Sequence, residues 1–136
     1  MTEVDLTKRY PRSPYDMLAG IVMLARTIDK AKAFNAKKLG EYHYNCPLDK
    51  ALFEFLGTDD VEFAKKVKDL ETDEKIEKWA KSKMSDKVKD QFNNWMRHGV
   101  PDTSDKLKWM ESEKKKLKRS DYFSYFDNID ADEKRF

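Results

Sequence analysis

Residues 13–34 of the sequence read SPYDMLAGIVMLARTIDKAKAF and predict the central helix of the fold. Ser13 can cap a helix, Pro14 is favoured at the first helical position, and an acid such as Asp16 suits the first turn. Apolar residues then recur at helical spacing: Leu18, Ile21, Val22, Ala25 and Ile28. We therefore expect a long, buried helix from Pro14 to about Phe34.

Capping residues and apolar periods predict five further helices. These are Pro47–Leu56 closed by Gly57, a helix capped at Thr58 to about Leu70, one from Thr72 through Ala80, one from Ser85 to Gly99, and one after Pro101 through Leu117. Val and Ile together number only ten, which is too few for an extensive sheet. The sequence therefore predicts an all-α fold, a compact single-domain bundle of about six helices spanning residues 1–136.

Three segments lie outside the predicted helices. Residues 1–12 are polar and predict an extended N-terminal arm, and residues 41–45 predict a short extended segment. Residues 120–136 form an aromatic and acidic tail, which we expect to dock on the core through Tyr122, Phe123, Tyr125 and Phe126.

Composition restricts the partners and the compartment. Charged residues make up 40% of the chain, yet the net charge is only +2 and the two signs are interleaved, which makes a nucleic-acid partner unlikely. The basic run 114–119 is bordered by Glu111, Glu113 and Asp121, as a solvated helix face would be. Cys46 is the only cysteine and suits a reducing compartment. No apolar run approaches the roughly 18 residues of a membrane span, so we expect a cytoplasmic protein.

Residues 40–49, GEYHYNCPLD, are dense in reactive side chains. In an extended segment Tyr42 and Tyr44 would point inward, with His43 and Asn45 on the opposite side. Pro47 at the first helical position makes Cys46 the N-cap, where free N–H groups favour a thiolate.

Asp49, at the third helical position, can bond back to the capping residue, but its negative charge opposes a thiolate. Two interpretations of Cys46 stay open. It is either a nucleophile or redox thiol with His43 as base, or a small buried cap.

Arg26 and Asp29 interrupt the apolar pattern of the first predicted helix and lie three residues apart on one face. They form either a local ion pair or a site in which Asp29 holds Arg26 for an anionic ligand, with Arg9 and Arg12 joining it. The predicted ligand-binding residues are Arg12, Arg26, Asp29, His43, Asn45, Cys46 and Asp49, and the catalytic candidates are His43 and Cys46. One Cys and one His at this spacing lack the further ligands of a zinc motif, so we expect no metal and no cofactor.

The strings DLTKR at residues 5–9, PRSP at 11–14 and GEYHYNCPLD at 40–49 resemble an uncharacterised bacterial family known only as a domain of unknown function. The resemblance covers nearly the whole chain. It implies a small bacterial helical protein and supplies no activity, cofactor or site.

The first functional hypothesis is a binding protein with a polar pocket around residues 40–49 that takes a small anionic ligand. The second is a small enzyme that uses Cys46 and His43. The third is a protein–protein interaction module or homo-oligomer with an exposed aromatic patch, formed by Trp79, Trp95, Trp109 or the tail.

Overall fold

The computed structural model describes residues 4–122 and 124–135, and these residues form seven α-helices with no strand. The helices are α1 Leu24–Asn35, α2 Pro47–Leu56, α3 Asp60–Leu70, α4 Asp73–Lys81, α5 Asp86–Arg97, α6 Ser104–Leu117 and α7 Tyr125–Asp132. The all-α prediction is confirmed, and the count of about six is close. No helix in this part of the chain is both long enough and apolar enough to cross a membrane.

The chain divides into two compact units, residues 1–93 and residues 94–136. The single-domain organisation stays a prediction.

In the first unit, α4 has the predicted cap, Thr72, whereas α3 is capped by Asp59, the residue after the predicted Thr58. The Asp59 side chain accepts from the Glu62 N–H at 2.8 Å, and the Thr72 hydroxyl accepts from the Lys75 N–H at 3.3 Å. Gly57 ends α2 in the left-handed conformation, with φ of 70°, that favours glycine. These boundaries depend on residues close together in sequence, which is why the sequence predicts them.

The predicted start of the central helix at Pro14 is wrong, because α1 begins only at Leu24. The preceding residues form turns in which Ala19, Gly20 and Met23 have φ of 56°, 70° and 69°. The Ile21 N–H donates to the Leu18 carbonyl at 2.9 Å instead of continuing a helical ladder.

Polar side chains from α4 and α5 bond the backbone of these turns. The Asn93 amide accepts from the Val22 N–H at 3.0 Å and donates to the Gly20 carbonyl at 2.7 Å. The Glu77 carboxylate accepts from the Ala19 N–H at 2.7 Å. Because tertiary partners satisfy these backbone groups, Ala19 and residues 21–23 are buried without being helical.

The core of the first unit forms where α1 packs against α3. Its fully buried side chains include Ile28, Leu52, Phe63, Ile76 and Phe92. The predicted N-terminal arm contains a turn at residues 5–8 rather than one continuous extension, and Val4 and Leu6 are buried against Ala33. The Leu6 N–H donates to the Lys38 carbonyl at 2.9 Å, which joins the arm to the end of α1.

The second unit contains α6 and α7. The predicted tail includes helix α7, whose N-cap Ser124 accepts from the Asp127 N–H at 3.1 Å. Phe126 and Tyr122 are buried in this unit, and the Tyr122 hydroxyl donates to Asn128 Oδ1 at 2.5 Å. Phe123, also expected to dock, lies outside the described residues.

Candidate functional site

Residues 41–44 alternate in exposure as the sequence predicts, but Asn45, expected on the side of His43, is partly buried like Tyr44. His43 is exposed, whereas Tyr42 and Tyr44 are partly buried. The Tyr44 ring stacks on Phe34 with centroids 4.9 Å apart, its hydroxyl donates to the Asp60 carbonyl at 2.7 Å, and burial raises its pKa. Asn45 then adopts a left-handed φ of 70°, which turns the chain into α2.

Asp49 is the hydrogen-bonding centre of this segment and is fully buried at the third position of α2. Its Oδ2 accepts from Lys30 Nζ at 2.7 Å and from the N–H groups of Asn45 at 3.1 Å and Cys46 at 3.3 Å. Its Oδ1 accepts from the Thr27 hydroxyl at 2.8 Å. The predicted bond from Asp49 back to the capping residue is therefore present.

Cys46 is the N-cap of α2, as the sequence predicts, and is partly exposed. Its Sγ lies 3.4 Å from Lys30 Nζ and also accepts from the Asp49 N–H. The sulfur therefore lies between a buried ammonium and the N-terminus of a helix. Lys30 and Thr27 were missed from the sequence. The signal for Lys30 was a third charge, beside Arg26 and Asp29, inside a buried apolar run.

Arg12 binds two carboxylates at once. Its guanidinium donates to Asp29 at 3.1 and 3.2 Å and to Asp73 at 2.9 Å. Burial opposes the charge on Arg12, but the hydrogen bonds that its guanidinium donates to Asp73 and Asp29 raise its pKa overall. The same contact lowers the pKa of Asp73. Asp73, 61 residues from Arg12, was not predicted as a site residue.

Arg26 is buried beside this cluster. Its Nη1 donates to the Arg12 carbonyl at 3.2 Å, and its guanidinium lies 5.6 Å from the centroid of the Tyr42 ring. Arg26 therefore links α1 to both the N-terminal arm and the 40–49 segment.

The sequence matches the family described as a domain of unknown function, DUF5069, over residues 8–135. The chain belongs to this family. The search of curated proteins found no match. The match confirms the predicted relation to a domain of unknown function, and because the family carries no assigned activity, membership leaves the function unknown.

Most of the predicted residues fall into two groups, each joined to α1 through an ionic side chain, Asp29 or Lys30. One group joins Arg12, Asp29 and Asp73, and the other joins Lys30, Asn45, Cys46 and Asp49, with Arg26 beside them. Arg9, which the sequence predicted to join the first group, also lies 3.9 Å from Asp29. With Arg9 included, four basic side chains (Arg9, Arg12, Arg26 and Lys30) accompany three acidic ones (Asp29, Asp49 and Asp73).

His43 stands apart from both groups. It is exposed and, within the described residues, its ring makes no hydrogen bond or ion pair. To act as the base for Cys46, His43 would have to lie within hydrogen-bond reach of the sulfur. We call the exposed His43 and the partly exposed Asn45 and Cys46 the rim; Asn45 and Cys46 contact the buried Lys30–Asp49 pair.

Proposed function

We propose that this protein binds a small molecule at the rim formed by His43, Asn45 and Cys46, and that Cys46 is the chemically active group of the site. The contact between Cys46 Sγ and Lys30 Nζ, at 3.4 Å, carries this proposal. Reactive cysteines in proteins are typically found beside a basic side chain or at a helix N-terminus, and Cys46 has both neighbours.

The buried Lys30–Asp49 pair supports this role. The Asp49 carboxylate is held by Lys30, Thr27 and two backbone N–H groups, so its charge is compensated within the fold. The same pair holds the Lys30 ammonium in place beside the sulfur. A rigid support of this kind is what positions a reactive side chain.

A small anionic ligand fits the rim better than it fits the arginines. Arg12 already donates to two carboxylates and Arg26 is buried, whereas the rim residues are exposed or partly exposed. The ligand would approach the positive end of α2, with the His43 ring and the Asn45 amide as additional polar contacts.

Alkylation kinetics test the thiol directly, because Cys46 is the only cysteine and every labelled sulfur is Cys46. With iodoacetamide at pH 7, we expect the folded chain to react faster than the same chain unfolded in concentrated urea. Lys30→Gln, which keeps a donor for Asp49 but removes the charge, should slow the folded reaction. A folded chain that reacts more slowly than the unfolded one would make Cys46 an inert cap.

A thermal-shift screen tests the ligand, using nucleotides, small carboxylates, phosphorylated metabolites and thiol-reactive compounds. A ligand specific to the folded state, present at about 100 times its Kd, adds about 2.7 kcal/mol of stability. His43→Ala should leave the ligand-free Tm unchanged and reduce the ligand-induced shift. His98→Ala, the change at the other histidine, is the matched control and should keep the full shift.

A protein–protein interaction role has separate support in residues 94–136. Trp95 is 58% exposed and Trp109 is 47% exposed, and exposed tryptophans are typical of contact surfaces. Light scattering after gel filtration tests the homo-oligomer version, which a strict monomer at high concentration would exclude.

A further inference from the structure

A groove of about 720 Å³ lies at the C-terminal end of α6 in the second unit. Its lining residues are Glu111, Ser112, Lys114, Lys115, Lys118, Arg119 and Ser120. Its volume falls within the roughly 300–1,000 Å³ that small-molecule sites occupy. The groove is therefore large enough for a ligand of nucleotide size.

The groove concentrates the positive charge of the molecule. Four of its lining side chains are basic and one is acidic, which gives it a net charge of +3, whereas the whole chain carries +2. The rest of the sequence is therefore slightly negative, and an anion is drawn to this groove more than to the surface in general.

The four cations of the groove are not equally engaged. Lys114 is buried, with its Nζ 5.7 Å from the centroid of the Tyr122 ring and 3.8 Å from Glu111. Arg119 binds Asp121 at 2.6 Å. Lys115 and Lys118 are exposed and, in the described chain, their ammonium groups make no hydrogen bond or ion pair. Two cations thus remain available to a ligand beside two that are fixed.

Helix capping does not account for these two lysines. Basic residues often bond the last carbonyls of a helix, but here backbone N–H groups do so. The Lys118 N–H donates to the Lys115 carbonyl at 3.2 Å, and the Arg119 N–H donates to the Lys114 carbonyl at 3.0 Å. Lys118 adopts a left-handed φ of 56°, a conformation that favours glycine over a β-carbon residue.

We propose that this groove binds a polyphosphate group, either as a free ion or as the phosphate chain of a nucleotide. Lysine ammonium groups act as point charges for phosphate, and the Ser112 and Ser120 hydroxyls line the same groove as additional donors. A nucleic-acid duplex needs a longer basic track than these few residues provide. The site is independent of the Cys46 rim, so either proposal can fail without the other.

An NMR titration of the full ¹⁵N-labelled chain with sodium tripolyphosphate, at low salt, tests the site. As tripolyphosphate is added, we expect the amide signals of Ser112, Lys115, Lys118 and Ser120 to shift until the site is saturated. The double variant Lys115→Gln/Lys118→Gly should weaken binding roughly tenfold, since it removes two exposed charge contacts. Glycine relieves the left-handed strain at position 118, so lost binding cannot be ascribed to unfolding.

Lys116→Gln is the matched control, because Lys116 lies on the same helix, outside the groove, beside Glu113 at 4.0 Å. The affinity of the Lys116→Gln variant for tripolyphosphate should stay within about twofold of that of the wild type. A parallel titration with ATP distinguishes a free polyphosphate ion from a nucleotide. If ATP and tripolyphosphate bind with equal affinity, the groove recognises phosphate alone. If ATP binds more tightly, the groove also recognises the nucleoside. Absence of saturable shifts, equal weakening by the control, or tighter binding of a short oligonucleotide would each overturn the proposal.

Discussion

At the scale of single residues, Asp49 accounts for most of the local order in the 40–49 segment. One fully buried carboxylate caps α2, fixes the Thr27 hydroxyl and holds the Lys30 ammonium next to Cys46. A buried ion pair adds little over apolar packing, but the loss of one partner leaves a charge without compensation. The stability of the segment therefore depends on keeping both Lys30 and Asp49.

Lys30→Met should lower the free energy of unfolding by about 3–5 kcal/mol, because Asp49 would stay buried without its counter-charge. Urea denaturation followed by circular dichroism measures this difference. Lys65→Met is the matched control, since Lys65 is exposed on α3 and makes no ion pair within the described residues. Its effect should stay within about 0.5 kcal/mol. Equal effects of the two variants would mean that the Lys30–Asp49 pair does not support the fold.

The site was predictable from sequence only where its contacts are local. Cys46 as N-cap and Asp49 as its partner lie three residues apart, so helix-capping rules find them. Lys30 lies 19 residues from Asp49, and Asp73 lies 61 residues from Arg12. No pattern along the chain encodes such pairs, because the packing of α1, α2 and α4 brings them together.

At the scale of elements, residues 14–23 show what apolar periodicity indicates and what it does not. The pattern correctly indicated burial, since Ile21 and Val22 are fully buried. It did not distinguish a helix from a buried turn, because the choice depends on Asn93 and Glu77, which bond the backbone from distant helices. Helix α7 was not predicted, although its cap Ser124 and Asp127, whose N–H donates to the Ser124 hydroxyl, lie three residues apart in the sequence.

Asn93→Ala should destabilise the protein by about 1–3 kcal/mol, because the buried Val22 N–H would lose its acceptor. The Gly20 carbonyl would also lose its donor. Asn94→Ala is the control. It makes the same Asn-to-Ala change on the same helix, but the side chain of Asn94 is exposed. Chemical denaturation compares the two midpoints. Equal midpoints would mean that the turns before α1 hold without Asn93.

At the scale of the whole molecule, the boundary between the two compact units falls inside one helix. Residues 1–93 and 94–136 meet within α5, Asp86–Arg97, so this helix carries the buried Phe92 of the first unit and the buried Met96 of the second. Helix formation is cooperative along the chain, so loss of either unit should also unravel its part of α5. We therefore predict a single unfolding transition for the full chain.

The three tryptophans make this prediction measurable unit by unit. Trp79, which packs 5.9 Å from Phe63, reports on the first unit, and Trp95 and Trp109 report on the second. A Trp79→Phe variant and a Trp95→Phe/Trp109→Phe variant each leave reporters in one unit only. The urea midpoints that the two variants report by fluorescence should coincide once the stability cost of each substitution is subtracted. Circular dichroism on the same samples measures that cost.

Met110→Ala sharpens the test, because Met110 is 1% exposed in the second unit and its truncation should cost about 2–5 kcal/mol. If the chain unfolds as one cooperative domain, this change lowers the midpoint reported by Trp79 as much as the midpoint reported by Trp109. A Trp79 transition that stays at its original midpoint would show that residues 1–93 fold independently. The chain would then contain two domains, and each proposed site could be studied in its own fragment.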